Sequence, residues 1–280
     1  MQTNEELKEI VRRKYSEIAL QDKAENAASC CGATSSCCGD QVYNIMSEDY
    51  SKLEGYNPDA DLALGCGLPT EFAGIKKGDV VIDLGSGAGN DCFIARHETG
   101  PEGKVIGIDF TDAMIEKART NAEKFGFNNV EFRQGDIEKM PVGGNIADVI
   151  VSNCVLNLVP DKEKVFSEMF RVLKKGGHFS VSDIVLVGYL PEKWKATAEL
   201  YAGCVSGAIQ KSDYISFAEK AGFKNLKVQK EKIINVPDEI LKEYLNPEEI
   251  TAYRNSGVGI FSITLYGEKP ATCCDPGCCN

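Results

Sequence analysis

Cysteine is the residue type most able to do chemistry in this chain, which has 12 cysteines among its 280 residues. Four of them are isolated from the others: Cys66, Cys92, Cys154 and Cys204. Cys66 in LGCGLP and Cys204 in YAGCVSGA are surrounded by small residues, which would leave their thiols sterically open. Thiolates are the preferred ligands of soft ions. The isolated thiols Cys66, Cys154 and Cys204 therefore predict a soft three-coordinate ligand, if the fold brings them to one crevice.

Cys154 stands directly after ADVIVSN, a run typical of a buried strand, and Asn153 precedes it. The carboxyl ends of the strands form the edge at which open α/β sheets bind ligands. A free cysteine is also common as a small buried hydrophobic residue, and for Cys154 taken alone that alternative stays open. Cys92 follows a glycine-rich loop by three residues, on the inward face of a predicted helix, and is predicted to belong to the core.

The other eight cysteines form four adjacent pairs in two polar segments: Cys30–Cys31, Cys37–Cys38, Cys273–Cys274 and Cys278–Cys279. In a reducing compartment, clustered thiols more often bind soft ions or take part in redox chemistry than form a disulfide framework. Their spacing differs from the C-x2-C spacing of zinc sites. Two alternatives stay open for these pairs. One is a capture site that relays a thiophilic ion inward, and the other is an exposed, partly oxidised segment with no defined site.

A glycine-rich loop lies between a predicted strand and a predicted helix in VIDLGSGAGND. Gly85, Gly87 and Gly89, with Ser86 among them, allow the backbone to turn sharply and to approach a ligand without clashes from Cβ atoms. Asp109 closes the next strand twenty residues after Gly89, where its carboxylate can accept hydrogen bonds from ribose hydroxyls. The pattern predicts a nucleoside cofactor, and its G-x-G-x-G spacing disfavours the nicotinamide fingerprint G-x-G-x-x-G.

These motifs lie in a regular alternation of strand-like and helix-like segments over residues 79–187. Such alternation is typical of a doubly wound, largely parallel α/β sheet. An N-terminal helix is predicted over residues 4–20, with Asn4 as its N-cap. The segments after residue 190 could extend the sheet or form a cap. They comprise predicted helices near 191–206, 212–222 and 237–253 and predicted strands near 224–235 and 257–267.

The charge of the chain limits its partners. With 31 basic and 42 acidic side chains, the formal net charge is −11, and such a surface repels phosphate backbones and anionic lipids. We therefore expect neither a nucleic-acid nor a membrane partner. No apolar run approaches the roughly 20 residues of a membrane helix, and the charged start MQTNEELKEI lacks the apolar core of an export signal. A cytoplasmic location is predicted.

The combination of GCGLP, DLGSGAGND, SNCVLNLVPDK and GCVSGA resembles the arsenite S-adenosylmethionine methyltransferases, a family of class I S-adenosylmethionine-dependent methyltransferases. The resemblance covers roughly residues 5–268, and the three cysteine motifs are its specific part. It implies a Rossmann-like, doubly wound and mostly parallel seven-stranded sheet with a smaller C-terminal region. The domains predicted on this basis are an N-terminal helix with a flexible Cys-rich loop (1–41), a cofactor-binding methyltransferase domain (42–210), a C-terminal region that completes the sheet or caps it (211–268) and a disordered Cys-rich tail (269–280).

The resemblance also implies roles for residues of the predicted cofactor site. Asp83 matches an acidic residue that helps to hold the methionine end of the cofactor, although capping of the loop amides is an equal alternative. Asp136 and Ile137, placed at the end of strand three, match a position that lies against the adenine. Met114 matches the residue on the other adenine face, or is plain core. The complete predicted cofactor set is Asp83, Gly85, Ser86, Gly87, Gly89, Asp109, Met114, Asp136, Ile137 and Asn153.

By the same resemblance, Cys66, Cys154 and Cys204 match the cysteines that bind trivalent arsenic. The implied substrate is arsenite or methylarsenite, and the lone pair of the bound arsenic is the nucleophile, so the reaction needs no general base. The oxidation state must be reset after each transfer, either by external thiols or by cysteines of the protein that are transiently oxidised to a disulfide and re-reduced. Both alternatives imply a thiol reductant of the glutathione or thioredoxin type as co-substrate. A further upstream cysteine of the family has its nearest match in Cys37 or Cys38, and the two remain alternatives.

Two alternatives to arsenic methylation remain. One is a methyltransferase of a small organic substrate such as a quinone or sterol ring, with structural thiols. The other is a non-catalytic, thiol-rich metalloid-binding protein, which would have no need of the cofactor loop. The two histidines, His97 and His178, are predicted to be structural or surface groups. Leu64 stands where some members of the family carry a tyrosine, so a cofactor contact made there would have to come from another group.

Overall fold

The computed structural model describes residues 3–21, 48–189, 207–236, 238–242 and 245–271. Its α-helices are α1 (Asn4–Ala19), α2 (Pro69–Phe72), α3 (Asn90–Thr99), α4 (Asp112–Phe125), α5 (Lys162–Val172), α6 (Lys211–Ala221), α7 (Asp238–Leu241) and α8 (Pro247–Asn255). Its strands are β1 (Val80–Leu84), β2 (Lys104–Asp109), β3 (Val130–Gln134), β4 (Ala147–Asn153), β5 (Leu173–Val187), β6 (Lys224–Ile233) and β7 (Gly259–Glu268). Short 3-10 helices lie at Tyr50–Lys52 and Leu156–Leu158.

The strands form one seven-stranded sheet in the order β3-β2-β1-β4-β5-β7-β6. The pairs from β3 to β5 are parallel, whereas β7 lies antiparallel between β5 and β6. The strand order reverses between β1 and β4, so helices cross over on both faces. The predicted α/β fold, with a doubly wound and mostly parallel seven-stranded sheet, is confirmed. The two strands after residue 207 extend this sheet and do not form a cap.

Helices cover both faces of the sheet. On one face α1, α3 and α4 pack against side chains such as Val81 and Val105. On the other face α5 and α6 pack against alternate side chains of the same strands, such as Ile82 and Ile106. Successive side chains of a strand point to opposite faces, so a strand that is covered on both faces is apolar along its whole length. This is why β1 and β4 are recognisable as continuous apolar runs.

The N-cap of α1 is Thr3, so the prediction of Asn4 is wrong by one residue. Thr3 Oγ1 accepts a hydrogen bond from the Glu6 N–H at 3.2 Å, and Glu6 Oε2 accepts one from the Thr3 N–H at 2.7 Å. This reciprocal capping box satisfies two backbone N–H groups at once. A cap at Asn4 would place Leu7 at the matching position, where no side-chain acceptor is available.

The predicted helix over 237–253 is two helices, α7 and α8. Pro247 is the first residue of α8, and a proline cannot continue a preceding helix because it lacks a backbone N–H. Asn246 caps α8 in a second capping box, in which its side chain accepts from the Glu249 N–H at 2.9 Å. The break therefore follows from local chemistry at Asn246 and Pro247.

Several predicted features lie outside the described residues. They are Cys204, the eight paired cysteines, the loop at 22–41, the helix near 191–206 and most of the tail at 269–280. The domain boundaries at 42, 211 and 269 stay predictions. Among the helices that the structure describes, none combines the length and the apolar character that crossing a membrane requires.

Candidate active site

A cleft opens at the carboxyl ends of β1, β2 and β4, and Cys154 lies on its wall. Gly89 does not line the cleft; it is the N-cap of α3, with a φ of 98°. Cys66 lies just beyond the wall, in the loop whose residues Leu64 and Gly65 face the cleft. Nine of the predicted cofactor residues line the cleft: Asp83, Gly85, Ser86, Gly87, Asp109, Met114, Asp136, Ile137 and Asn153.

Gly85 shows why the loop after β1 needs glycine. Its φ is 67°, in the left-handed region that glycine tolerates best, and a Cβ at this position would overlap the side chain of Val155. The N–H groups of Gly85 and Ser86 donate to Ile108 O at 2.7 and 3.0 Å. These bonds tie the loop to the end of β2 and keep its backbone at the floor of the cleft.

Asp109 ends β2 on the opposite side of the loop. Its carboxylate accepts from the Gly87 N–H at 3.0 Å and from the Thr111 N–H at 2.8 Å. Burial raises the pKa of Asp109, and these backbone hydrogen bonds counteract part of that rise. A carboxylate held in this way retains lone pairs for a ligand in the cleft.

Asp83 is buried at the floor of the cleft, and its hydrogen-bond partner there is a thiol. Cys92 Sγ donates to Asp83 Oδ2 at 3.2 Å, which replaces the predicted alternative of capping the loop amides. Burial raises the pKa of Asp83 well above its ordinary value, and the neighbouring Asp91 carboxylate raises it further. Cys92 is a free, fully buried cysteine in the core, as its place in the helix predicted.

The cleft also contains buried polar atoms without a hydrogen-bond partner among the described residues. They are Ser86 Oγ and Asn90 Oδ1. Buried polar groups are nearly always paired in native proteins, so a ligand that brings donors and acceptors would complete them. S-adenosylmethionine brings ribose hydroxyls, an ammonium and a positively charged sulfonium. The unpaired Ser86 hydroxyl and Asn90 amide oxygen, in the same cleft as the buried carboxylates of Asp83 and Asp109, therefore fit this cofactor.

The far end of the cleft differs from the prediction in one respect. Asp136 and Ile137 follow β3, which ends at Gln134, and do not belong to the strand. Asp136 accepts from the Glu138 N–H at 2.8 Å and from Lys8 Nζ at 2.7 Å. Lys8 and Tyr15 of α1 line the cleft, which sequence reasoning missed because helical periodicity does not tell where a helix docks.

Cys66 and Cys154 meet at the rim of the cleft as a disulfide, with their Cα atoms 5.8 Å apart. Their exposed fractions are 1% and 3%, so the expectation of sterically open thiols is wrong for Cys66. Cys154 has a φ of 58°, which is uncommon for a residue other than glycine. Its N–H donates to Ser182 O at 2.8 Å, which holds the bend at the end of β4.

The glycines on either side of Cys66 serve close packing. A Cβ at Gly65 would lie 2.6 Å from Asn153 Nδ2, and a Cβ at Gly67 would lie 2.5 Å from Ser182 Oγ. Both positions need glycine because the loop lies directly against β4 and β5. The small residues that sequence reasoning took as a sign of an accessible thiol therefore bring the loop close to the sheet.

Asp183 is a further group at this rim, and it was not predicted. One of its carboxylate oxygens and the sulfurs of Cys66 and Cys154 lie within 4.8 Å of one another. Burial raises the pKa of Asp183 to about 7, although hydrogen bonds from the Ile184 N–H and the Tyr214 hydroxyl oppose that rise. An acidic residue inside the apolar strand HFSVSDIVLV was the signal that could have identified it.

Neither histidine lines the cleft. His178 lies within β5, with Nε2 at 2.5 Å from Ala73 O and its ring 5.2 Å from that of Tyr266. His97 lies in the last turn of α3, partly exposed beside Glu54. Their positions agree with a structural or surface role and leave the cleft without an imidazole.

Known proteins resemble this chain both in one domain and over most of its length. Residues 75–222 match the methyltransferase domain family. An arsenite methyltransferase of Halobacterium salinarum is 37% identical over 278 residues, which are 95% of this chain and 68% of that protein. An arsenite methyltransferase of Aquipseudomonas alcaligenes is 32% identical over 244 residues, 85% of this chain and 68% of that protein.

Among solved structures, an arsenic(III) S-adenosylmethionine methyltransferase from Chlamydomonas reinhardtii matches with a TM-score of 0.62 and 33% identity, covering 76% of this chain and 68% of that one. The fold is therefore that of the class I S-adenosylmethionine-dependent methyltransferases, as the glycine loop and the strand order indicated. Because the identity to the Halobacterium protein extends over nearly the whole chain, the chain belongs to the arsenite methyltransferase family.

Proposed function

We propose that this protein methylates trivalent arsenic, taking methyl groups from S-adenosylmethionine while Cys66, Cys154 and Cys204 hold the arsenic as thiolates. The observation that carries the proposal is the meeting of Cys66 and Cys154, 88 residues apart in the chain, at the rim of the cofactor cleft. A ligand on the sulfur of Cys154 stands beside the cleft that this residue lines. The burial of both side chains keeps water away from the reacting centre.

Cys204 lies outside the described residues, and its inclusion rests on the residues that follow it. Gly207 packs so closely against the 3-10 helix Leu156–Leu158 that a Cβ would overlap Asn157 O. Ala208 is buried in the same apolar cluster as Cys66 and Cys154. Three residues of chain span at most about 11 Å, so position 204 is within reach of that cluster.

In this proposal, different residues of the cleft bind different parts of the cofactor. Asp109 accepts from the ribose hydroxyls, Asp83 faces the methionine end, and Met114 and Ile137 enclose the adenine. S-adenosylmethionine supplies an electrophilic methyl group on a sulfonium, whose positive charge stabilises the ionised form of nearby carboxylates. Leu64, on the cleft wall, contributes an apolar contact where a tyrosine stands in some members of the family.

The bond changes balance without an acid–base group. Three thiols replace the three hydroxyl groups of arsenite, and three water molecules leave. The arsenic keeps its lone pair, which forms the new arsenic–carbon bond while the methyl–sulfur bond of the donor breaks. The protein's part is to place the lone pair in line with the methyl group, and such orientation can contribute on the order of 7 kcal/mol.

After the transfer, the arsenic is formally pentavalent and must be reduced. In our proposal two of the thiolates supply the two electrons: their arsenic–sulfur bonds break, a sulfur–sulfur bond forms and trivalent methylarsenic remains. Water supplies the hydroxyl group that takes a vacated position on arsenic, and one proton is released. A dithiol of the thioredoxin type, or two molecules of glutathione, then returns two electrons and two protons to the disulfide. The disulfide between Cys66 and Cys154 is the oxidised form of such a pair, and the cytoplasm is a compartment that keeps thiols reduced.

The test is an incubation of the reduced enzyme with S-adenosylmethionine, arsenite and glutathione, followed by chromatographic separation of methylated arsenicals. Cys66→Ser, Cys154→Ser and Cys204→Ser should each lose methylation by about 10²-fold or more, because an arsenic centre that has lost a ligand is misplaced. Cofactor binding should survive in all three variants. Cys278→Ser, a thiol of the C-terminal tail, is the matched control and should keep its activity.

An enzyme that binds the cofactor and leaves arsenite unmethylated would contradict the proposal and favour an organic substrate. If Cys204→Ser alone kept full activity, only the thiolates of Cys66 and Cys154 would be needed to bind arsenic. Binding of arsenite without any methylated product, despite bound cofactor, would favour the non-catalytic alternative.

A further inference from the structure

The side-chain amide of Asn153 holds the loop that carries Cys66 on both sides of the cysteine. The Cys66 N–H donates to Asn153 Oδ1 at 3.0 Å, and Asn153 Nδ2 donates to Gly67 O at 2.8 Å. The two bonds fix the backbone on both sides of the Cys66 side chain. A third bond, from Ser262 Oγ to Cys66 O at 2.6 Å, holds the same loop from β7.

The orientation of this amide is set by Tyr50 and Asp91. The second hydrogen of Asn153 Nδ2 points to the Tyr50 hydroxyl oxygen in a short contact. Tyr50 has one hydroxyl proton and two acceptors within reach, Asp91 Oδ2 at 3.0 Å and Gly67 O at 3.1 Å, and the carboxylate is the stronger acceptor of the two. A flipped amide would place its oxygen against Gly67 O and the Tyr50 hydroxyl oxygen, which are both acceptors.

The chain of bonds connects the two parts of the active site. Asp91 is the second residue of α3, directly behind the glycine loop, and Asn153 is the last residue of β4, directly before Cys154. Tyr50 and Asp91 are buried, with exposed fractions of 5% and 9%. Thr70 Oγ1 lies 3.5 Å from Asp91 Oδ1, so α2 is attached to the same carboxylate. A displacement of the Cys66 loop relative to the cofactor loop would break these bonds.

We propose that Asn153, Tyr50 and Asp91 are positioning residues that hold the Cys66 thiol at a fixed distance from the cofactor's methyl group. The proposal rests on the proposed function for its consequence in methyl transfer, but not for its geometry. It gives Asn153 a second role beside its predicted place in the cofactor site. Tyr50 and Asp91 also line the cleft. In this proposal they act on the reaction through Asn153 and the backbone of the Cys66 loop, and an unchanged dissociation constant for S-adenosylmethionine in Tyr50→Phe separates this role from a direct contact with the cofactor.

Tyr50→Phe tests this proposal, because it removes one hydroxyl and keeps the buried ring. The single-turnover rate of methyl transfer should fall about 10²-fold, the effect of a displacement of about 1 Å, while the dissociation constants for S-adenosylmethionine and for arsenite change less than about twofold. Tyr266→Phe is the matched control, since the Tyr266 hydroxyl donates to Glu268 on β7, away from the cleft. It should leave the rate unchanged. Equal losses in both variants, or an unchanged rate in Tyr50→Phe, would overturn the proposal.

Amide hydrogen exchange gives a readout that needs no arsenite activity. Exchange at the Cys66 N–H should accelerate at least tenfold in Tyr50→Phe and in Asp91→Ala, because the acceptor Asn153 Oδ1 is no longer held. Asp91→Asn keeps an oxygen acceptor for the tyrosine and should restore most of the protection that Asp91→Ala loses. Faster exchange together with no arsenite methylation in the parent enzyme would sink the proposed function and leave the positioning role intact. Unchanged exchange in both variants would overturn the positioning role, whatever the enzyme methylates.

Discussion

The candidate active site has a cofactor half and a thiol half, which lie at the same edge of the sheet and are built in different ways. The cofactor half is local in sequence, since β1, the glycine loop and α3 follow one another within residues 80–99. The thiol half is assembled from distant segments: the loop around Cys66, the end of β4 and, through Ser262, the antiparallel strand β7. Most of the cofactor half therefore comes from consecutive elements of the chain, over residues 80–137. The other half needs the whole sheet.

The two halves also differ in their electrostatics. In the cofactor half Asp83, Asp91 and Asp109 are buried, and burial is the first cause of the raised pKa of each, with that of Asp91 at about 6. The thiol half has Asp183 beside the two sulfurs, and the positive charge of Lys162 opposes the rise of its pKa. The positive charge of a cationic cofactor would stabilise the ionised carboxylates of the cofactor half. In the thiol half, Lys162 of the protein itself partly stabilises the ionised carboxylate of Asp183.

The largest effect on stability is expected in the cofactor half. Gly85→Ala adds a Cβ that overlaps Val155 at a φ of 67°, so overpacking and backbone strain together should cost about 3 kcal/mol of unfolding free energy. Gly74→Ala is the matched control, because Gly74 also has a positive φ, 61°, but its Cβ would meet nothing within 4 Å. Its cost should be about 1 kcal/mol. Equal costs in urea unfolding would mean that strain alone makes the loop glycine necessary.

The thiol half should impose a pH dependence on stability. The pKa of Asp183 is about 7 in the folded protein against an ordinary 3.8, so the folded state binds the proton more tightly than the unfolded state. The stabilisation is fully present below the ordinary value and is lost as the pH rises through 7. Between pH 5.5 and pH 8 this group should cost about 2 kcal/mol of unfolding free energy.

Urea unfolding of Asp183→Asn at these two pH values measures that difference. The variant should lose about 2 kcal/mol of the pH dependence, whereas Asp213→Asn, an exposed acid on α6, should keep the parent's dependence. A parent protein that becomes more stable between pH 5.5 and pH 8, by an amount that Asp183→Asn removes, would show the opposite sign and refute the raised pKa.

The smallest effect is expected where α1 adds to the cofactor half. Lys8 Nζ contacts Asp136 Oδ2 at 2.7 Å and also Glu138. Partly exposed ion pairs contribute about 0–1 kcal/mol, so Lys8→Met should weaken the binding of S-adenosylmethionine by about fivefold at most. Calorimetric titration measures this, with the exposed Arg13→Met on the same helix as control. A loss well above tenfold would mean that Lys8 itself contacts the cofactor.

The elements of the sheet were largely predictable, and nine of the predicted cofactor residues line one cleft. Strand and helix positions follow from apolar runs and helical periods, which the burial of both sheet faces makes pronounced. The errors were local or topological. The cap of α1 depended on the pairing of Thr3 with Glu6, and the break before α8 on Pro247. The insertion of β7 between β5 and β6 could not be derived from periodicity, because period alone does not specify which strands pair.

By itself, then, the sequence determined the α/β class, the glycine loop with its acid at the end of β2, and the types of thiol available for a soft ligand. These features depend on neighbours within about twenty residues. Only the tertiary structure decided that Cys66 is buried against Cys154, that Asp183 lies beside both sulfurs, and that Asn153 hydrogen-bonds to the Cys66 loop. Contacts between segments far apart in the chain form when the complete sheet brings them together, since no local pattern specifies the partner of a buried thiol or amide.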